Sequence, residues 1–433
     1  PIQNRFFFRA LYSDDQLRQR VAFALHEILV VSGRDENQPS WMTPYLQILD
    51  TQAFGNFRQL LYDITVNPAM GNYLNMDQSS KTNPNENYAR EILQLFSVGV
   101  DLLNSDGTPV LDGFGARVPT YDQAVVSGFS KVFTGWRFAA QPVPGVINYI
   151  TPMVLNNSLH DNTSKQLLGT VLAARAAVDG EADLNAAIDN IFNHQNVGPY
   201  IGSQLIHHLV TSNPSPAYVG RVAAIFNDNG SGVRGDLGAV VRAILLDTEA
   251  RGGAPAPNQD GHLREPVLFV AALLRAFNAR AASGSGPSDG YLSTQISPMD
   301  QDLYRPPTVF SYFPADYDLP GSNLLGPEFG ILSTGTTLRR ANFVNTMAFS
   351  TIPISTNAPS GTSIDLATLK IISSDPNNLV EQLNRVLLHG AMSQQMKASV
   401  VQAVSAVAVS NTTLRAQTAL YLVATSSQYQ VEH

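Results

Sequence analysis

The stretch NENYAREILQLFSVGV, residues 85–100, carries two glutamates and an arginine among apolar side chains. Glu86 and Arg90 are four apart, the spacing at which opposite charges meet on one helix face and contribute roughly 0.2–0.5 kcal/mol. Glu86 also falls in the first turn, where the helix dipole favours a negative charge. Glu91 lies roughly 140° around the wheel from Glu86, beside the apolar side formed by Ile92, Leu95 and Phe96. A buried carboxylate needs a cation, a metal or a proton. The expectation is therefore a buried Glu91 with a partner and a Glu86 near the surface. The partner is either an arginine of another helix, Arg18 or Arg20, or a cluster with His160 and Asp161. Arg90 points about 100° away and does not serve.

The segment SLHDNTSKQLLG holds His160, Asp161 and Lys165. A histidine next to an aspartate after extended chain can supply a metal ligand or a base. Adjacent strand residues face opposite sides, so the two form no dyad by adjacency, and Asp161 can equally cap a turn. His26-Glu27 opens the zinc-protease pattern, but Val30 stands where the second histidine is required. His26 then reads as a core histidine or a single ligand, and His207-His208 as structural. The candidate catalytic residues are Glu91, His160 and Asp161. The candidate metal ligands are the same three with His26. Glu86, Arg90, Trp136 and Lys165 are candidate binding residues. The GPSDG stretch at Gly286–Gly290 lacks the strand and helix a nucleophile elbow needs. NDNGSG from Asn227 has Gly238 where a calcium loop needs glutamate.

The elements that must position these residues are mostly helical. Ser13 with Gln16 signals the start of a helix carrying Leu17, Val21, Leu25, Ile28 and Leu29, ending at Gly33. Thr43-Pro44, Asn56 and Asn67-Pro68 open further helices. Asn85 caps the helix of the opening stretch, which runs to Gly99. Residues 101–119 form a loop or small hairpin, and Thr120 with Gln123 starts the next helix. VINYITPMVL is β-branched and aromatic, so strand is expected near 137–159. The fold class is mainly α, a multi-helix globular architecture with a minor β element. Its parts are 1–136, an extended insertion at 137–180, a helical part at 181–280, an ordered aromatic loop or linker at 281–326 and a helical part at 327–433. They are expected to pack as one large domain.

The totals narrow the function classes. Of 433 residues, 44% are hydrophobic and 14% charged, against about 25% charged in typical soluble domains. A net charge of −8 with no basic run argues against nucleic acid as ligand. With no cysteine, disulfides, zinc–thiolate sites and thiol nucleophiles are excluded. No apolar run approaches the roughly 20 residues of a membrane span.

Several segments together resemble the bacterial domain-of-unknown-function 1800 family. They are QLRQRVAFALHEILVVS, NENYAREILQLFSVGV, VFTGW, HDNTSKQLLG, NVGPYIGSQLIHHLVTSNPSPAYVGRVAAIFNDNGSGVRGDLGAVVRAILLD, LREPVL and ALYLVATSSQYQ, in order over residues 14–430. The resemblance implies a helical fold and export to the periplasm or beyond. It implies an N-terminal portion ahead of Pro1, and it marks Glu86, Arg90, Glu91, Trp136, His160, Asp161 and Lys165 as motif positions. It implies no reaction. Two readings stand side by side. In the first, an exported helical scaffold docks a protein partner or an extracellular polymer and can itself form an oligomer. In the second, Glu91, Glu86, His160 and Asp161 converge around a divalent metal and hydrolyse an extracellular substrate.

Overall fold

The computed structural model describes residues 2–141, 143–252 and 261–432 of the chain. Among the described residues, nineteen α-helices, three short 3₁₀ turns and three two-stranded antiparallel pairs form the regular structure. The fold is mainly α with minor β, as the periodicity predicts. One strand pair, Trp136–Arg137 with Val154–Leu155, brackets the extended stretch. The others join Lys165–Leu167 to Thr170–Leu172 and His262–Leu263 to Val431–Glu432. Strands of two or three residues are too short for a period of two to stand out in sequence.

Helix starts follow side-chain chemistry closely. Asn56 Oδ1 accepts from Arg58 N at 3.0 Å, and Asn67 caps Pro68–Tyr73 in the same way. Three starts shift. The third helix begins at Pro39, so Pro44 lies inside Pro39–Gln52 and the Thr43 hydroxyl donates to the Pro39 carbonyl instead. Asp122, not Thr120, caps Gln123–Val132. The NENYARE helix spans Asn87–Gln94, with Asn85 one position outside its cap, accepting from Asn87 N. Its apolar run continues past Gln94, but the chain turns there. Gly99 adopts φ +71°, and its N–H donates to the Leu93 carbonyl.

The chain divides into two compact units. One comprises Pro1–Gln16, Gly261–Leu303 and Tyr312–His433, the other Leu17–Asp260 and Tyr304–Ser311. In the second unit, helices Val197–Leu209, Pro216–Asn227 and Leu237–Leu246 pack in succession. Helix Gln123–Val132 lies on strand Lys165–Leu167 so closely that a Cβ at Gly128 would come 1.8 Å from the Gln166 carbonyl oxygen. In the first unit, Thr412–Ala424 is the central helix, burying Ala416, Ala419, Leu420 and Val423 against its neighbours.

The first unit closes on a buried ionic seam. LREPVL and the C-terminal SSQYQ segment meet there. Arg264 N donates to the Gln430 carbonyl, its guanidinium donates to the Tyr429 carbonyl, and it lies 4.6 Å over the Tyr429 ring. Arg340, also buried, donates to the Arg264 carbonyl at 2.7 Å. His262 stands 3.2 Å from Glu328 and 3.6 Å from Glu432, the second contact being an ion pair too long for a hydrogen bond. Burial alone would lower the His262 imidazole, but the two carboxylates outweigh it and hold it up at about 9.

A histidine raised from its ordinary 6.5 stabilises the fold fully below that value and loses the contribution as pH rises through 9. The difference corresponds to about 3 kcal/mol. Denaturant midpoints of wild type and His262→Gln should therefore be well separated near neutrality and converge above pH 9. A gap that stays constant across that window refutes a charged His262.

Candidate functional site

The NENYARE helix places its first glutamate in a surface network. Glu86 accepts from Arg90 at 2.7 Å, from Gln123 at 2.9 Å and from Ser127 at 3.0 Å. Although burial pulls the other way, these bonds hold its carboxyl below the usual range. Glu86 and Arg90 thus tie two helices together at the surface.

Glu91 is half-buried, and its Oε2 atom is buried without a hydrogen-bond partner. Burial raises its carboxyl, and the adjacent Arg90 charge only partly offsets this. The expected arginine partner does not materialise. Arg18 donates to the Asp50 carbonyl and lies over Phe54, while Arg20 donates to the His208 carbonyl. Both are taken up by carbonyl oxygens of other segments, partners that the wheel of a single helix cannot supply. Tyrosines stand near Glu91 instead. Burial together with the charges of Glu91 and Asp35 pushes the Tyr73 hydroxyl up to about 12. Burial and Glu91 do the same to Tyr121.

Tyr73 also connects Glu91 to a second group of acids. Glu36 is buried, accepts from Asn72 at 2.7 Å through Oε1, and has no partner for Oε2. Burial and the charges of Asp35 and Asp77 push its carboxyl up to about 7. Asp77, raised by burial, has a buried Oδ1 without a partner. Burial and the charges of Glu36 and Asp77 hold Tyr149 at about 12, and its ring stacks on Trp41 at 4.3 Å.

The HDNTSK segment forms a different assembly, built on an aspartate that sequence reasoning missed. Asp183 is buried, accepting from Lys165 at 2.7 Å and from the Arg175 guanidinium, with His160 Nε2 at 3.2 Å. Burial works to raise this carboxyl, and the three donors outweigh it, holding it below the usual range. The other ring nitrogen of His160 donates to the Thr134 carbonyl at 2.8 Å. Asp161 caps its own turn, accepting from Thr163 N at 2.8 Å and from the Thr163 hydroxyl at 2.6 Å. Asp183 sits in the first turn of Gly180–Phe192, where an acid is ordinarily ascribed to the helix dipole. Its four-residue spacing to the buried Ala187 and Ile191 was the signal that it faces inward.

The sequence-marked residues therefore separate. His160, Asp161 and Lys165 share one cluster, Glu86 and Arg90 share a second, and Glu91 lies among tyrosines. His26 Nδ1 bonds the Tyr45 hydroxyl at 2.9 Å, and burial lowers its imidazole to about 3, so it is neutral. Trp136 is buried with its indole N–H unpartnered. The structure does not assemble Glu91, His160, Asp161 and His26 as one ligand set. Among the described residues, no group of three or more His, Asp or Glu side chains is placed to hold a metal ion.

The chain matches the family model described as "Protein of unknown function (DUF1800)" over residues 1–431. It belongs to this family. No curated protein and no solved structure matches it. The family motifs HDNTSK and NENYARE thus contribute hydrogen bonds that join separate elements of the second unit, while LREPVL does so in the first. Among the described residues, no helix is long and apolar enough to cross a membrane.

Two substitutions separate these roles. Asp183→Asn removes the charge that three donors share and should cost about 3–5 kcal/mol in urea unfolding. Glu91→Gln should cost less than about 1 kcal/mol at neutral pH, because no cation pairs with Glu91. Its folded-state pKa is raised, so the folded protein holds that proton more tightly and wild type should gain on the variant as pH falls. A loss for Glu91→Gln as large as for Asp183→Asn would refute the assignment.

Proposed function

We propose that this family member is an exported binding or assembly protein that docks a protein partner or an extracellular polymer through exposed apolar side chains. The observation that carries the reading is Phe114, 99% exposed on the arm of residues 101–119, where the Leu111–Arg117 bridge brackets it and Asp112 accepts from its backbone N–H at 2.8 Å. A large aromatic ring left in water supplies the kind of anchor around which binding surfaces are built. Val143, Val146, Ile147 and Ile150 are exposed on a second loop of the same unit. The residues best suited to chemistry support the reading from the other side. Both nitrogens of His160, both oxygens of Asp183 and one oxygen of Asp161 are engaged within the fold. Absent cysteines and low charge fit export.

A second reading, a hydrolase acting on an extracellular substrate with a divalent metal, draws on one specific observation. Glu36, with a carboxyl near 7 and an unpaired Oε2, has the properties of an acid–base group. On this reading Glu36, Asp77 and Glu91 do the work, and His160 does not. Elemental analysis of the purified protein, with manganese and calcium titration of wild type and Glu36→Gln, decides it. Stoichiometric metal lost in the variant favours the hydrolase.

For the binding reading, the full-length gene product should appear in the exported fraction, and in-cell cross-linking should give a high-mass species there. Phe114→Ser should reduce that species several-fold, whereas Glu36→Gln and Glu91→Gln should leave it intact. Retention of the full-length product in the cytosol would refute export. A cross-linked species indifferent to Phe114→Ser would refute docking through the arm.

A further inference from the structure

We infer that the cleft beside helix Pro39–Gln52 is a binding site for a primary ammonium group carried on a short aliphatic stem. No residue of the 101–119 arm lines it, so the site stands apart from docking through Phe114.

The cleft encloses about 270 Å³. That is below the roughly 300–1,000 Å³ of drug-sized sites, so its occupant is small. One helix supplies a graded wall. Pro44, Ile48 and Gln52 follow at four-residue intervals along one face of Pro39–Gln52, and all three line the cleft. The wall therefore turns from apolar to polar toward the end of that helix. Pro68, Ile150 and Pro152 add further apolar surface. At the polar end, Gln52 Nε2 donates to Asp63 at 2.9 Å. A ligand matched to this wall is apolar along its length and polar at one tip.

Asp63 fixes the sign of that tip. It is the single charged residue among the described residues that line the cleft. Both of its oxygens accept from neutral amides, Oδ2 from Gln52 and Oδ1 from Gln59 at 2.7 Å, and neither amide cancels its charge. It lies in the last turn of helix Phe57–Thr65, and that turn holds no basic residue. The helix dipole is negative there and disfavours a carboxylate. The N–H groups that open the next helix are already taken, because Asn67 Oδ1 accepts from Ala69 N at 3.0 Å and Met70 N at 3.2 Å. A carboxylate and the negative end of a helix thus coincide where the cleft is polar, and both favour a cation. The net charge of −8 adds to the attraction. An ammonium suits the place better than a guanidinium. Each oxygen of Asp63 already holds one N–H, which hinders the paired in-plane approach that arginine exploits. An ammonium is a compact charge whose donors need no fixed plane. Either a free alkylamine or the side chain of a lysine carries this chemistry.

Isoleucine-methyl NMR of the full chain tests the site, because Ile48 and Ile150 line the cleft. Added n-pentylamine should shift those two methyls saturably. Ethylamine, which lacks the stem, should bind several-fold more weakly. Pentanol and pentanoate, of the same length without the positive charge, should bind about tenfold more weakly or worse. Asp63→Asn should weaken pentylamine about tenfold or more and leave pentanol unchanged. The remaining isoleucine methyls report whether that variant folds, and the comparison of the three probes on wild type decides the matter without it. Nα-acetyl-lysine N-methylamide binding as tightly as pentylamine assigns the site to a lysine side chain. Binding of pentylamine alone assigns it to a free amine. A pentylamine titration without a saturable shift at Ile48 and Ile150 overturns the inference. So does pentanol or pentanoate that matches pentylamine, or a folded Asp63→Asn protein that binds pentylamine as wild type does.

Discussion

Asp183 is the carboxylate on which the second unit turns. A buried carboxylate is tolerated only when its oxygens are filled, and here the fillers come from three separate stretches. His160 comes from the end of the turn at residues 157–160, Lys165 from a strand, and Arg175 from beyond the strand pair. Each must be delivered to the first turn of Gly180–Phe192, and the backbone yields to allow it. A Cβ at Gly180 would stand 2.8 Å from His160 Nδ1, and one at Gly135, where φ is +85°, would stand 2.8 Å from the Asn156 carbonyl oxygen. Helix, strand pair and VFTGW turn are thus placed by one charge and its donors.

That constraint bears on function. A histidine with both nitrogens engaged has no free valence for a substrate unless the cluster is first broken, which strands the buried Asp183 charge, and Asp161 keeps one oxygen closed on its own turn. The acids that do keep unfilled oxygens, Glu36, Asp77 and Glu91, lie elsewhere, and burial drives them toward the protonated form. The fold therefore separates its residues into those that hold elements together, acids whose carboxyls burial raises, and apolar side chains turned to solvent.

The sequence carries the helices clearly, because capping side chains and apolar spacing act within a few residues of each other. It carries the site poorly, because partners come from afar. Glu91 beside its apolar stripe announces burial, yet nothing within that stripe says that tyrosines rather than an arginine face it. His160 and Lys165 are conspicuous, while Asp183, which gives them their purpose, passes for an ordinary first-turn acid. Helix starts shifted where two cappers competed: Asp122 prevailed over Thr120 because its carboxylate accepts from Val125 N at 3.1 Å. The segments that resemble the family mark nearly the whole chain as a member, without saying which side chains meet.

The first unit solves the same problem differently. Its seam sets His262, Arg264 and Arg340 among Glu265, Glu328 and Glu432, three positive groups among three negative ones, where the second unit gathers several donors on one acid. In Arg340, Nε and one terminal nitrogen lack hydrogen-bond partners, and burial lowers its guanidinium to about 10 against the pull of Glu265 and Glu328. Apolar side chains of equal volume would hold such a seam at least as firmly. What ions add is orientation. Arg264 reaches the Tyr429 carbonyl only when the terminal strand lies beside His262 and Leu263 in the observed register. A one-residue slip would carry Glu432 away from His262 and leave that buried imidazole with Glu328 alone. The ionic seam is therefore best understood as a device that selects one register for the chain end, with stability as its lesser product.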